Sequence, residues 1–388
     1  MNRLIKVFPV LAVLLSFLLL SVGVANAAIP TSSSWKIVSS QDPGSSDNNL
    51  TGLAVVSSKD IWATGYFHND SSNVTEVLIE HWNGTQWSVV PGVNPSPSFN
   101  YLASVKAISS TNVWVVGYYM TANGVFKTLV ERWNGTKWSV VTSPNPSSSA
   151  NFLSSVTAIS ASNLWAVGNQ VNSKGLRKTL TEHWNGSTWS VVFSPNIKSL
   201  NNALKSVAAV SGNNIWAVGD AFDDQGSYQT LIEHWNGSTW SIVSGAKLSS
   251  TFSHLYGVTA ISATNVWAVG FYSSGIWKSL VEHWNGTSWK LVASPNPGTD
   301  SNVFNSVTAV SASSIWAVGY LLNSSGSART LIEHWNGQQW NVISSPNVGS
   351  GSNYLAAVAH ASDTKTTWAV GNYYDVDSKT HTLVENNG

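Results

Sequence analysis

Residues 153–192 read LSSVTAISASNLWAVGNQVNSKGLRKTLTEHWNGSTWSVV, and the fold turns on how this stretch divides. Four short runs are rich in Val, Ile, Leu, Thr and Trp: Leu153–Ser160, Asn163–Gly168, Thr179–Trp184 and Thr188–Val192. Ser, Asn and Gly bound each run, which is the composition of short strands joined by turns. No part of the stretch sustains a helical period. It predicts four consecutive strands.

The same four-strand phrase recurs along the chain. Trp62, Trp114, Trp165, Trp216, Trp267, Trp316 and Trp368 each sit in a phrase like NVWAVG, at spacings of 49 to 52 residues. A second series is Trp35, Trp87, Trp138, Trp189, Trp240, Trp289 and Trp340; a third is Trp82, Trp133, Trp184, Trp235, Trp284 and Trp335. Only Trp277 of the 21 tryptophans stands outside these series. Four strands per 40–50 residues, repeated radially, predict an all-β protein with a β-propeller fold. The second-strand phrase occurs seven times, so seven blades of four antiparallel strands are expected. The C-terminal HTLVENNG is a third strand lacking its fourth, and the segment around Trp35 is a lone fourth strand. Pairing the two would complete the last blade, close the ring and remove two open sheet edges.

At this level the chain resembles the kelch repeats: an aromatic strand running into glycine, a variable loop, a strand ending near an aromatic, then a tryptophan strand. In blade five this reads NVWAVG, a gap, then TLVEHWNGTSWKLV in outline, with Ser279 at the first position of the second phrase. Kelch repeats carry a Gly-Gly pair, whereas here one Gly is followed by Tyr66, Tyr118, Asn169, Asp220, Phe271, Tyr320 or Asn372. The resemblance implies a fold, not a function. The galactose-oxidase propellers are more distantly similar, and their chemistry needs a cysteine cross-linked to tyrosine. This chain has no cysteine.

The N-terminus MNRLIKVFPVLAVLLSFLLLSVGVANAA has a basic start, an apolar core and Ala25-Asn26-Ala27 at a cleavage position. It is read as a secretory signal peptide over 1–27, with a single mature domain over 28–388 that is secreted and soluble. Arg3 and Lys6 leave with the leader, taking the net charge from +0 to −2. That charge gives no footprint for nucleic acid, and no membrane association is expected after cleavage. The missing cysteines exclude thiolate catalysis, Cys-based zinc sites and disulfide support. A monomer is expected.

The phrase EHWNG raises the sharpest question about chemistry. Asn-Gly between two strand patterns predicts a two-residue type I′ hairpin. Such a loop pairs Glu282 with Trp289 and turns His283 to the opposite face from Glu282 and Trp284. Glu recurs in every blade, as Glu80, Glu131, Glu182, Glu233, Glu282, Glu333 and Glu385, which favours a role between blades over catalysis. A buried Glu needs a partner. Lys127, Lys178, Lys278 and Arg329, four residues earlier, are one set of candidates; backbone amides are the other. Five of the Asn-Gly pairs also spell N-G-S or N-G-T, but Asn336 spells N-G-Q, so the turn and not glycosylation is the recurring requirement. The repeated tryptophans are read as packing between blades, with sugar stacking as the alternative. The small residues Gly52, Ser104, Ser155, Ser206, Gly257, Ser306 and Ala357 are read as crowding around the axis.

The symmetry breaks in two long loop sets, which emerge on one face of a propeller and point to binding there. Asn48, Asn100, Asn151, Asn202, Asn302 and Asn353 recur before the first strands, either as turn caps or as a polar ring at the channel mouth. Ligand-binding candidates on this face are Trp277, Tyr272, Phe271, Tyr118, Tyr119, Phe126, Tyr228, Tyr373, Tyr374, Tyr101, His254 and Tyr354. Trp277 leads, because the repeat does not demand it. The acidic groups Asp220, Asp223 and Asp224, and Asp375 and Asp377, are weak hints of calcium; no metal, cofactor or catalytic residue is assigned. The function expected is binding of a glycan or extracellular protein. The alternatives are an enzyme on extracellular polysaccharide, working at the channel mouth, and a structural matrix protein.

Overall fold

A computed structural model describes residues 35–388 apart from 198–199, 223–225 and 325. The signal-peptide reading, Asp223 and Asp224 lie outside the described residues. The chain is all-β: 28 strands and no helix are formed among the described residues.

Within each repeat four strands pair antiparallel in chain order, and single parallel pairings, Ala150 with Phe126 and Ser301 with Trp277, join four of these groups into two eight-stranded sheets. Asn100–Ser109, Asn112–Met120, Phe126–Trp133 and Trp138–Val140 form one such group. The sheet that contains Asn353–Ala361, Thr366–Tyr374 and Thr380–Asn386 takes its fourth strand from the other end of the chain. Lys36 pairs with Asn386 there, and Ile37 with Glu385. The first strands, Asp47–Ser57, Asn100–Ser109, Ala150–Ser160, Asn201–Ser211, Ser253–Ser262, Ser301–Ser311 and Asn353–Ala361, touch in succession, and the last touches the first.

The invariant glycine of WAVG has a local cause. Each first strand carries an irregularity opposite it, as between Leu102 and Ser104. The backbone closes in at that point, so a Cβ on Gly117 would lie 1.9 Å from the Tyr101 carbonyl oxygen. One residue beyond the irregularity, the small side chains bridge neighbouring sheets. Ser104, Ser155, Ser206 and Ser306 hydroxyls accept from Val156, Val207, Val258 and Val358 amides. Those positions are therefore small because a neighbouring strand lies against them, as the crowding argument expects.

The core is a set of seams between sheets. Trp114 rests 5.0 Å from Trp184 and 5.9 Å from Trp189 of the following sheet. Trp165 meets Trp235 and Trp240, Trp216 meets Trp284 and Trp289, and Trp267 meets Trp335 and Trp340 in the same way. Trp316 meets Trp35. The fourth-strand tryptophans, and the second-strand ones apart from the half-buried Trp316, are buried here, so packing accounts for them in place of sugar stacking.

Candidate functional site

The EHWNG phrase departs from the expected hairpin. The loop is four residues, not two: Trp284 pairs directly with Trp289, and Glu282 with Leu291. Gly286 has φ +96°, but Asn285 is not in the left-handed region. Its Oδ1 instead accepts from the Thr287 and Ser288 amides, 3.0 Å each. Asn is there as a side-chain acceptor that closes the turn. The face assignment survives because a shift of two residues preserves alternation.

His and Glu therefore serve opposite faces of the third strand. His283 lies on Trp267, ring centroids 4.3 Å apart, and its Nε2 is 3.0 Å from Asn265 Oδ1. Burial lowers the pKa of His183, His234, His283 and His334 and favours the neutral ring. Arg132 keeps the same arrangement where His is absent. Its guanidinium sits 5.2 Å over Trp114, and Nε donates to Asn112 Oδ1 at 3.0 Å.

All seven glutamates are fully buried. One carboxylate oxygen, Oε2, has a partner in the linker that precedes its own sheet. Backbone amides of Gln41, Val93 and Ala246 donate to Glu80, Glu131 and Glu282. Hydroxyls of Ser143, Ser194, Ser294 and Ser345 donate to Glu182, Glu233, Glu333 and Glu385 at 2.5 to 2.7 Å. The cations four residues earlier are not partners, since none forms an ion pair with these carboxylates among the described residues. Oε1 bonds to nothing in any of the seven. Burial pushes Glu182, Glu233, Glu333 and Glu385 up to about 8, and the Ser hydroxyls lower them only in part. The recurring Glu is a clamp between a sheet and the linker leading into it, and its burial favours the protonated form.

The Asn-x-Leu residues are likewise spent on structure. Asn100 Oδ1 accepts from the Ser96 amide at 2.9 Å, and Nδ2 donates to the Ser96 and Thr75 carbonyls. Asn48, Asn151, Asn202, Asn302 and Asn353 close their loops in the same manner. They are buried caps, which corrects the polar-ring alternative.

The aromatic residues remain, and they divide by strand alternation. The position after the WAVG glycine pairs with the start of the first strand: Tyr118 with Tyr101, Phe271 with His254, Tyr320 with Val303 and Tyr66 with Asn49. The next residue points the other way. Tyr119, Tyr272 and Tyr373 accordingly pack against the hydrophobic seams. They are not part of the surface that unites the others, although the sequence reading grouped them with it.

Two aromatic runs result at the loop end of the strands. In the first, Tyr66, Tyr101, Tyr118 and Phe152 follow one another at centroid spacings of 4.8 to 4.9 Å, with Phe126 and Phe99 behind. In the second, Phe222, Tyr228, Phe252, His254, Phe271 and Trp277 are in ring contact. Trp277 is 38% exposed, whereas Phe271 and His254 are buried at 4% and 6%. Tyr354 joins Tyr320 and Tyr374 in a third contact. Tyr374 is exposed, and Tyr373 stacks on His381, which Asp42 and Asp375 hold at 2.9 and 3.0 Å. Asp375 Oδ1 also caps its own turn through the Asp377 and Lys379 amides. No cluster of three or more metal-ligating side chains occurs among the described residues.

Sequence reasoning missed Tyr66, Phe99, Phe152, Phe252, Tyr256 and Tyr320 as members of these runs. The column after the second-strand glycine already held Tyr66 and Tyr320 beside Tyr118 and Phe271, but they were not carried into the binding set. Within the second run, His254 Nδ1 lies 3.1 Å from Asp220 Oδ2, and His254 Nε2 is buried with no partner among the described residues. Burial, with Asp220 next in importance, raises the Tyr256 pKa. Tyr66 is pushed up to about 12 by burial first and Asp47 second. These phenols stay protonated and can donate a hydrogen bond.

No family model matches the chain, and no curated protein matches it. Solved structures do. A chain described as YCF48 bound to D1 peptide is 12% identical, with 92% of this chain and 96% of that chain covered and a TM-score of 0.56. A polysaccharide lyase of family PL25, an ulvan lyase bound to -[GlcA(1-4)Rha3S]-, is 10% identical, with 87% and 94% covered and a TM-score of 0.56. The Trypanosoma rangeli sialidase in complex with sialic acid is 10% identical with a TM-score of 0.50, and the alignment covers 93% of this chain and 60% of that one. At such identities the likeness is one of fold alone: the repeated four-strand sheets of this tryptophan-rich chain build a β-propeller.

Proposed function

We propose that this protein is a secreted, kelch-like propeller of seven blades that binds glycans, as a monomer, on the face carrying its long loops. Seven blades are supported by the seven second-strand phrases, five of them WAVG, one WATG and one WVVG, and by the succession of first strands. Closure is supported by the pairing of Lys36–Ile37 with Asn386 and Glu385 and by the contact of Trp35 with Trp316. Secretion rests on the leader pattern of residues 1–27. The observation that carries the binding reading is the pair of aromatic runs at the loop end, with Trp277 exposed at the edge of one. Flat apolar rings flanked by phenol hydroxyls suit the apolar face and hydroxyl rim of a sugar. An extracellular protein surface is the other ligand of this chemistry, and two propellers of similar fold are bound to a saccharide and to a peptide.

The test is a glycan and polysaccharide binding screen on purified 28–388, with and without calcium, repeated on Trp277→Ala. Binding near one equivalent, weakened about tenfold or more by Trp277→Ala with an unchanged melting temperature, is the expected result. Several equivalents per chain would move the site to the repeated positions. No binding to any glycan would overturn the glycan reading in favour of a protein partner.

A second reading, an enzyme at the channel mouth, has one observation in its favour. Asp220 holds His254 in the manner of an oriented base, with Nε2 unbonded. That nitrogen is sealed behind Phe271 and Tyr228, so binding is the better-supported function. Release of oligosaccharides from a bound polysaccharide, lost in His254→Gln, would reverse that preference.

A further inference from the structure

The first strands also enclose a cavity far from the aromatic runs. It measures about 340 Å³, and residues from all of these strands line it. Lys106 lines it, five residues along its strand from Tyr101, which places it roughly 16 Å from the mouth at about 3.3 Å per residue.

Lys106 breaks the repeat. The matching positions, opposite the tryptophans of the second strands, hold Ala54, Thr157, Ala208, Thr259, Thr308 and Ala359. Six copies need only a small side chain there, and one carries a long cation. No Asp or Glu among the described residues lines the cavity. Lys106 forms no ion pair and no hydrogen bond among the described residues. Its burial opposes the charged form and lowers its pKa. The other ionisable group on the wall, His360, is already bonded through Nδ1 to Thr367 Oγ1 at 3.1 Å, and burial lowers its pKa too. A neutral imidazole adds no charge, so among the described residues the ammonium is the one cation of this wall. Thr157, Thr259 and Thr308 bring three hydroxyls to the same cavity.

A partly desolvated ammonium without a counter-charge is costly, and a fold that needs only Ala or Thr at this place gains nothing structural from it. What it gains is an electrostatic partner for a ligand. We infer that the cavity around Lys106 is a binding site for a small oxyanion, a carboxylate, sulfate or phosphate, held by the Lys106 ammonium and the threonine hydroxyls. Charge-assisted hydrogen bonds from an ammonium, supplemented by neutral hydroxyls, are the donor set such groups take. The site is separate from the glycan face and does not rest on it.

Calorimetric titration with sodium sulfate, inorganic phosphate and sodium acetate, at constant ionic strength, tests this directly. At least one probe should bind the purified protein with one equivalent and raise its melting temperature. Lys106→Thr installs the residue that three other repeats already carry, so the fold should persist, which circular dichroism checks. It should weaken the bound probe by about tenfold or more, the loss of one charge-assisted interaction. Lys106→Arg should retain binding within about threefold. The proposal fails if no probe binds the wild-type protein, or if Lys106→Thr binds as tightly as wild type.

Discussion

Positions that repeat in every sheet and positions that vary differ in what they touch. The repeated Trp, His, Glu and Gly point into the seams or hold a backbone approach, and their partners belong to a neighbouring sheet or strand. The varied positions after the WAVG glycine and at the start of the first strands meet at the loop end, where Tyr, Phe, His, Asn and Asp alternate around the molecule. A side chain that must fit the same neighbour seven times is held constant. One at the loop end meets a different neighbour in each sheet and is free to diverge, and that is where binding can be built.

The contrast breaks most simply at Trp114. It is fully buried against Trp184 and Trp189, and its indole N–H donates to Asn112 Oδ1 at 2.9 Å. Trp114→Ala should cost about 3–5 kcal/mol by urea unfolding. Trp277→Ala, at an exposed aromatic edge, should cost about 1 kcal/mol or less. Equal losses would erase the distinction between seam and mouth.

The glutamates give the same contrast a pH dependence. Their ordinary carboxyl pKa of 4.5 is carried up to about 7 for Glu131 and Glu282 and about 8 for the other five, burial being the first cause in each. Between 4.5 and 8 the folded chain holds protons that the unfolded chain has released. The sign follows: stability is greatest below pH 4.5 for these groups, falls as pH rises through the window, and levels off above about 8. Melting temperature should therefore decline from pH 5 to pH 8.5. Glu182→Gln keeps an acceptor for Ser143 without an ionisable proton. It should raise stability by roughly 1–3 kcal/mol at pH 8.5 relative to wild type, and the gain should shrink toward pH 4.5. A gain that does not change with pH would mean that the clamp is ionised and solvated.

How far these features were legible depends on how local their causes are. Strand identity, repeat length and the completion of the last sheet by the N-terminal strand follow from patterns that a single stretch of chain displays, such as residues 153–192. Glu182 could be read as buried, but its partner Ser143 stands 39 residues earlier, in the linker that leads into its sheet. No spacing rule points to it. Lys178, on the same strand, was the nearer and wrong candidate. Tyr119, Tyr272 and Tyr373 were grouped with Tyr118 and Phe271 because adjacent aromatics look alike in a sequence. Strand alternation, already applied to Glu282 and His283, separates them. Lys106 stands out only when its strand is aligned with Ala54, Thr157, Ala208, Thr259, Thr308 and Ala359, a comparison the sequence reading did not make.

The smallest effect discriminates most finely among the repeated positions. If Asn285 were repeated because a type I′ turn needs φ > 0, glycine would replace it at little cost. The structure instead uses its Oδ1 to accept two amides, from Thr287 and Ser288, and leaves the left-handed conformation to Gly286 alone. Asn285→Gly should then cost about 0.5–1.5 kcal/mol, the loss of a side-chain acceptor at an exposed turn. Asn285→Asp, which keeps the acceptor, should stay within about 0.5 kcal/mol of wild type. The order of those two variants by chemical denaturation decides the case. Glycine as good as asparagine would restore the conformational explanation. Aspartate better than glycine would show that even the outermost residue of the repeat is kept for a specific bond, here within its own turn instead of across a seam.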